Sequence, residues 1–348
     1  MADGFLAAGD RDRALIMIDG LSSDAGPARR RVLAGKSSGQ AIDSGAKALS
    51  EALTAFAGDL ARLQQGAPPI GLAQVARFAN PQNSAAITLL ALLLNAQGRP
   101  EQALALLRTI PRDDALSGQI RDVQVRILTD NNRLNEAYAA ASEATRSPNA
   151  QAGDWSRLGE VFQEMKRYNE AAAMYGRAIA LARAEGQTAQ LWSLLLLQAD
   201  ALEQSGHWPE AKQALQQALS LSPDQPLLLN FLGYGQLERG ENLDTAEAMV
   251  RRASELAPDN ASITDSLGWA QYKRGKVDEA IATLQRAAEK DPDQPEIQEH
   301  LGDALFKSGR RFQARYAWSA ALVVAEDDTA VRLKAKLASG LTPANAAP

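Results

Sequence analysis

The chain of 348 residues is 45% hydrophobic but only 5% aromatic, and it carries 37 Lys and Arg against 42 Asp and Glu, with no cysteine. A net charge of −5 and a pI near 5.3 argue against a basic nucleic-acid face, and the missing thiols exclude disulfides, thiolate catalysis and Cys-ligated zinc. With so few rings the core must be built largely from Ala and Leu, the strongest helix formers, which predicts helices throughout.

Residues 1–45 read as a partial repeat and a connecting segment. Within 4–21, Gly9, Ala14 and Ile18 fit the glycine, small and large-apolar slots of a second repeat helix. The partner helix would precede Met1, so upstream sequence is expected, because an uncapped array exposes an apolar face. The first residues show neither the basic nor the apolar segment of a signal peptide. Residues 46–81 read as a degenerate helix pair around Gly66. The apolar stretch from Ala85 to Leu94, broken by Thr88, is about half of what a bilayer span needs. Repeat slots follow at Gly98 and Ala103, then at Leu134, Ala137 and Ala144.

The clearest copy begins at Trp155, Leu158, Gly159 and Phe162 and continues through Ala171, Tyr175 and Ala178. Its second helix overruns the period toward Gly186, which predicts a local insertion. Ala211, Leu215, Ala218 and Pro223 mark a further second helix. The register is plainest after that: Leu232-Gly233, Leu267-Gly268 and Leu301-Gly302 recur at spacings of 35 and 34 residues. Glycines follow at 240, 275 and 309, and alanines at 246, 280 and 314, then at 253, 287 and 321. Pro258 and Pro292 close two of these repeats. An extra residue between Arg239 and Asp244 lengthens one turn and could shift the face presented. Apolar residues at helical spacing form one face, small residues let two helices approach, and Pro ends the second helix. Residues 327–348 read as a polar capping helix, carrying Arg332, Lys334 and Lys336, and a disordered tail.

Period and signature resemble the tetratricopeptide repeat, over about eight repeats between residues 46 and 326. The resemblance implies an all-α, right-handed α-solenoid of stacked helix-turn-helix hairpins, whose first helices line a concave groove that binds a partner protein or peptide. On that reading the inward-facing residues are Asn230, Phe231 and Tyr234 in one repeat and Asp265, Trp269 and Tyr272 in the next. His300 and Asp303 follow in the last. The aromatic residues would form an open patch of the kind that dominates binding hot spots. Asp265 and Asp303 would repel a carboxylate-ended ligand, so an apolar, Lys- or Arg-bearing segment is the expected partner. Trp155, Tyr168, Trp208 and Trp318 fall in core slots.

Catalytic chemistry has little to draw on. His207 falls in a turn, His300 stands on a first helix, and no His pair has metal-ligand spacing. Gly35-Lys36-Ser37 lacks both the leading glycine and the strand of a phosphate-binding loop. The expectation is a scaffold that is not an enzyme, with no cofactor, no metal, no nucleic-acid partner and no membrane span. Residues 226–322 are similar to bacterial envelope tetratricopeptide lipoproteins, which implies an adaptor bringing substrates to a carboxyl-terminal processing protease. Two other roles stay open: a cytoplasmic assembly or secretion factor, and an accessory segment of a larger enzyme. The expected location is the periplasm or outer membrane if sequence precedes Met1, and the cytoplasm otherwise.

Overall fold

Short turns between Ala- and Leu-rich stretches leave each segment one option, an amphipathic helix laid against the next. The computed structural model describes residues 5–6, 8–19, 26–35, 42–63, 67–147, 150–189 and 191–347. Among them lie nineteen helices and no strand. Gly66, Lys36 and Ser37, together with the side chain of Ile18, fall outside the described residues.

The chain divides into two compact units, Met1–His207 and Trp208–Pro348. The first contains α1 (Arg11–Asp19), α2 (Gly26–Leu33), α3 (Gly45–Leu63), α4 (Ile70–Ala79), α5 (Ser84–Ala96) and α6 (Pro100–Leu107). It continues with α7 (Ser117–Asp130), α8 (Leu134–Thr145), α9 (Ala152–Glu164), α10 (Tyr168–Ala184) and α11 (Leu191–Gln204). The second contains α12 (Trp208–Leu221), α13 (Pro226–Glu238), α14 (Leu243–Leu256) and α15 (Ala261–Lys273). There α16 (Val277–Lys290), α17 (Pro295–Lys307), α18 (Arg311–Val324) and α19 (Asp327–Ser339) complete it.

Within each unit consecutive helices pack as hairpins, and each hairpin packs on the next. The core of the first unit runs through Leu90, Leu94, Leu104, Ile127, Leu158, Phe162 and Tyr175. That of the second joins Leu284, Leu301, Leu305, Trp318 and Leu333. No single hairpin could bury these side chains alone, which is why stacking and folding are one event. Prolines also open helices: Pro226 and Pro295 stand at N1, where the missing N–H costs nothing. Asn83 and Asn260 cap helices by accepting the amide hydrogens of Ala86 and Ile263.

The last full hairpin shows why glycine recurs. A β-carbon on Gly302 would lie 2.3 Å from Cδ1 of Trp318, so only glycine lets α17 and α18 approach this closely. The turn that follows uses Gly309 at φ +85°, a left-handed conformation that costs other residues about 1–2 kcal/mol. The overrun after Ala178 is present, α10 having 17 residues where α14, α16 and α18 have 14. The extra residue between Arg239 and Asp244 is absorbed inside its turn, where Asn242 joins Gly240 in the left-handed region at φ +46°. Leu232, Leu267 and Leu301 therefore stay buried in equivalent places, and the presented face does not shift.

Residues 340–347 differ from the expected disordered tail. Gly340 turns the chain back against Phe306, Leu341 packs on the core of the last hairpin, and Asn345 and Ala347 are buried. Asn345 holds the turn, donating from Nδ2 to the Gly340 carbonyl and accepting from the Thr342 amide. Composition alone hid this, because the segment's few apolar side chains pack on the preceding hairpin and not on one another.

Candidate partner-binding face

The first helices of the second unit, α13, α15 and α17, carry all eight residues expected to face a ligand. The structure separates them into two groups. Asn230, Phe231, Tyr234 and Tyr272 are half-buried, with Tyr234 leaning on the cluster of Leu237, Val250 and Leu267. Asn230 Oδ1 is shielded and has no hydrogen-bond partner among the described residues.

Asp265, Trp269, His300 and Asp303 do not stand open, and here the expectation needs correction. Trp269 is 1% exposed. Its indole stacks on the His300 ring at 4.0 Å and on the Tyr272 ring at 4.7 Å, both within 12° of parallel, and Lys273 Nζ sits 5.1 Å from its centre. His300 Nδ1 lies 2.9 Å from Asp265 Oδ2, so the carboxylate and imidazole join α15 to α17. The physical reason is the tightness of the stack: adjacent first helices are neighbours, and a large ring on one fills the seam toward the other.

Asp303 is sealed by the chain's own C-terminal helix. Lys336 of α19, fully excluded from solvent, places Nζ 2.7 Å from Asp303 Oδ1 and 2.7 Å from Glu299 Oε1. Arg332 adds a 3.0 Å contact to Glu299, Trp318 Nε1 donates to Asp303 at 2.9 Å, and the Ala347 amide donates to its other oxygen. Burial pushes both carboxyls up; for Glu299, Arg332 and Lys336 outweigh it and hold the group below its ordinary range. For Asp303 burial wins despite Lys336, and the carboxyl sits above its ordinary range. The positive charge expected of a ligand is thus supplied in cis. Periodicity could not show it, because Lys336 lies more than thirty residues away in a helix read as a polar cap.

Four stretches match family models for the TPR or tetratricopeptide repeat: residues 72–127, 154–224, 196–261 and 268–309. The chain is built of tetratricopeptide repeats. No curated protein matches it. Among solved structures, the APC/C hetero-tetramer Cut9-Hcn1 is similar at 17% identity and a TM-score of 0.56, over 95% of this chain and 67% of that one. A tetratricopeptide repeat protein from Parabacteroides merdae ATCC 43184 is similar at 14% identity and a TM-score of 0.56, over 74% of this chain and 98% of that one. At these identities the likeness is one of fold. The resemblance of residues 226–322 to envelope protease adaptors finds no support in these matches.

The repeats of the first unit present a groove that the repeat signature does not mark. It lies between the first helices α7 and α9, has a volume of about 430 Å³, and is lined by Asp122, Asp130, Glu160 and Glu164 with Arg126 and Arg157. Arg157 pairs with Asp122. Tyr175 donates to Gln163 Oε1 at 2.9 Å, and Gln163 Nε2 donates to Asp200 on α11. Burial raises Asp200, and the neighbouring Glu203 adds to the shift. A signal existed in the sequence, since Asp122, Asp130, Glu160, Glu164 and Asp200 recur along first helices. The repeat signature does not single them out, because it records packing positions and not charge.

Among the described residues no group of three or more His, Asp or Glu is placed to hold a metal ion, and no helix is long and apolar enough to cross a membrane. His207 is exposed in its turn, while Trp208 and Trp318 occupy the core.

Proposed function

We propose that the chain is an adaptor that holds an extended segment of a partner protein along α13 and α15, through Asn230, Phe231, Tyr234 and Tyr272. Asp265, Trp269, His300 and Asp303 form the locked floor beneath that contact and set its shape. The observation that carries this reading is Asn230 Oδ1, a shielded acceptor with no partner, beside two incompletely covered rings. Buried polar atoms are nearly always hydrogen-bonded, and the broad χ2 of asparagine lets this one turn toward a donor. A backbone N–H of an extended segment supplies such a donor while its side chain packs between Phe231 and Tyr234. Tetratricopeptide repeats in general serve as protein-binding scaffolds, which is consistent with this use.

The test is an arrayed library of extended peptides probed with the full chain and with a Phe231→Ala, Tyr234→Ala variant. Binding of a defined peptide set should be lost in the variant while the unfolding transition stays cooperative. Equal binding by both proteins would remove the reading. Substrate segments of a carboxyl-terminal processing protease are one clientele to include, given the resemblance of residues 226–322.

A second reading concerns the Lys- or Arg-bearing ligand. With Asp265 and Asp303 already matched by His300 and Lys336, the groove between α7 and α9 is the better acceptor for basic side chains. In the same array, Glu160→Gln with Glu164→Gln should selectively weaken Lys- and Arg-rich peptides. Unchanged binding of those peptides would discard it.

A further inference from the structure

The outer face of α18 is apolar where a surface helix should be polar. Phe312, Tyr316 and Val323 are 92%, 80% and 84% exposed. Together with Ser319 they follow the spacing i, i+4, i+7, i+11, which places them on one stripe. Ala314, Ala317, Trp318 and Ala321 occupy the opposite face and are buried. The helix is thus apolar on two sides, and only one side has a neighbour. A soluble surface rarely leaves such a stripe without a use.

The charges at its ends say what fits. Exposed Arg310, Arg311 and Arg315 crowd the N-terminal end, and exposed Glu326, Asp327 and Asp328 follow the C-terminal end. The arginines are held in place: Arg315 donates to the Leu337 carbonyl and Arg311 lies over the Phe306 ring at 5.6 Å. A second copy of the same helix, laid antiparallel, brings the basic end of each over the acidic end of the other. It also opposes the two helix dipoles favourably. In that register Phe312 meets Val323 of the other copy, and Tyr316 meets the small Ser319, so neither ring is forced against another ring.

We infer that α18 is a self-association surface through which two copies of this chain pair about a twofold axis, α18 against antiparallel α18. The contact is isologous, as twofold symmetry requires, and therefore closes. It is distinct from the partner-binding face, which lies on first helices. Each ring can bury about 150–250 Å², so the two rings and Val323 cover less than the roughly 800 Å² per partner of a standard interface. The pair should therefore separate on dilution.

Sedimentation of the full chain over a wide dilution series should show a reversible monomer–dimer equilibrium. Phe312→Glu with Tyr316→Glu should leave a monomer at every concentration with unchanged helical content, since both side chains are exposed. Arg311→Glu with Arg315→Glu should weaken the dimer at least tenfold, and adding Glu326→Lys with Asp328→Lys to the same chain should restore it. The chain has no cysteine of its own, so the register can be read directly. Mixing Phe312→Cys and Val323→Cys proteins under mild oxidation should give mainly the mixed disulfide. A wild-type monomer throughout, a dimer indifferent to the double Glu variant, or cross-links dominated by 312 to 312 would each overturn the proposal.

Discussion

Nζ of Lys336 lies 2.7 Å from Oδ1 of Asp303, and neither side chain is reached by solvent. A lysine at that depth is tolerated only because Glu299 and Asp303 neutralise it, and it is in turn the cation that the two carboxylates share, with Arg332 adding a second charge at Glu299. Removing one member leaves charge in the core, at about 3–5 kcal/mol. Lys336→Met should therefore destabilise the second unit by roughly that amount in urea unfolding of the full chain. Changing Glu299, Asp303 and Lys336 together to apolar residues of similar size should recover most of the loss. A Lys336→Met protein as stable as wild type would mean that α19 does not seal this site.

The two acids of that cluster should respond to pH with opposite sign. Glu299 is held below its ordinary value of 4.5 in the folded chain, so its stabilising contribution is full above 4.5 and is lost as pH falls through the folded value. Asp303 is held above its ordinary 3.8. Its ionisation therefore opposes folding at higher pH, and that penalty lifts as pH falls through its raised folded value. In unfolding curves from neutral to acid pH, Glu299→Gln should lose stability less steeply than wild type. Asp303→Asn should lose it more steeply. Parallel curves for the two variants would contradict the assignment.

Trp269 and Tyr234, both read from the repeat register as open groove residues, should now behave differently. Trp269 fills the seam between α15 and α17 and stacks on two rings, so Trp269→Ala opens a cavity and should cost about 3–5 kcal/mol. Tyr234 is half-buried against Leu267 and Val250, and Tyr234→Ala should cost less than half as much. Equal losses in calorimetry or urea unfolding would show that the two rings share one environment.

What was legible in the sequence was whatever the repeat period fixes locally. Leu232, Leu267 and Leu301 found the core, Gly309 found the left-handed turn, and Trp318 found the hairpin interior, because each role is set within a window of about 34 residues. What hid was contact between successive repeats. Periodicity says which residues lie on the first-helix face, but whether that face is open depends on the size of side chains one repeat away. His300 closing on Trp269, and Lys336 closing on Asp303, are such contacts. The acidic first helices of the first unit were legible in principle, since they need only the same register applied to Asp122, Glu160 and Asp200.

Gly302 offers the sharpest test of hairpin packing. A β-carbon there would stand 2.3 Å from Cδ1 and 2.4 Å from Nε1 of Trp318, far inside any allowed contact. The indole is ring-stiff, fully buried and donating to Asp303, so it cannot yield without giving up that bond. Gly302→Ala should thus cost about 1–3 kcal/mol from overpacking, with more from the lost hydrogen bond. The cause can be isolated by a double-mutant cycle. In a Trp318→Leu background the same alanine meets a smaller neighbour with no donor to displace, so its cost should fall substantially. A cost independent of residue 318 would mean that the glycine is required by the helix backbone itself and not by the approach of α18.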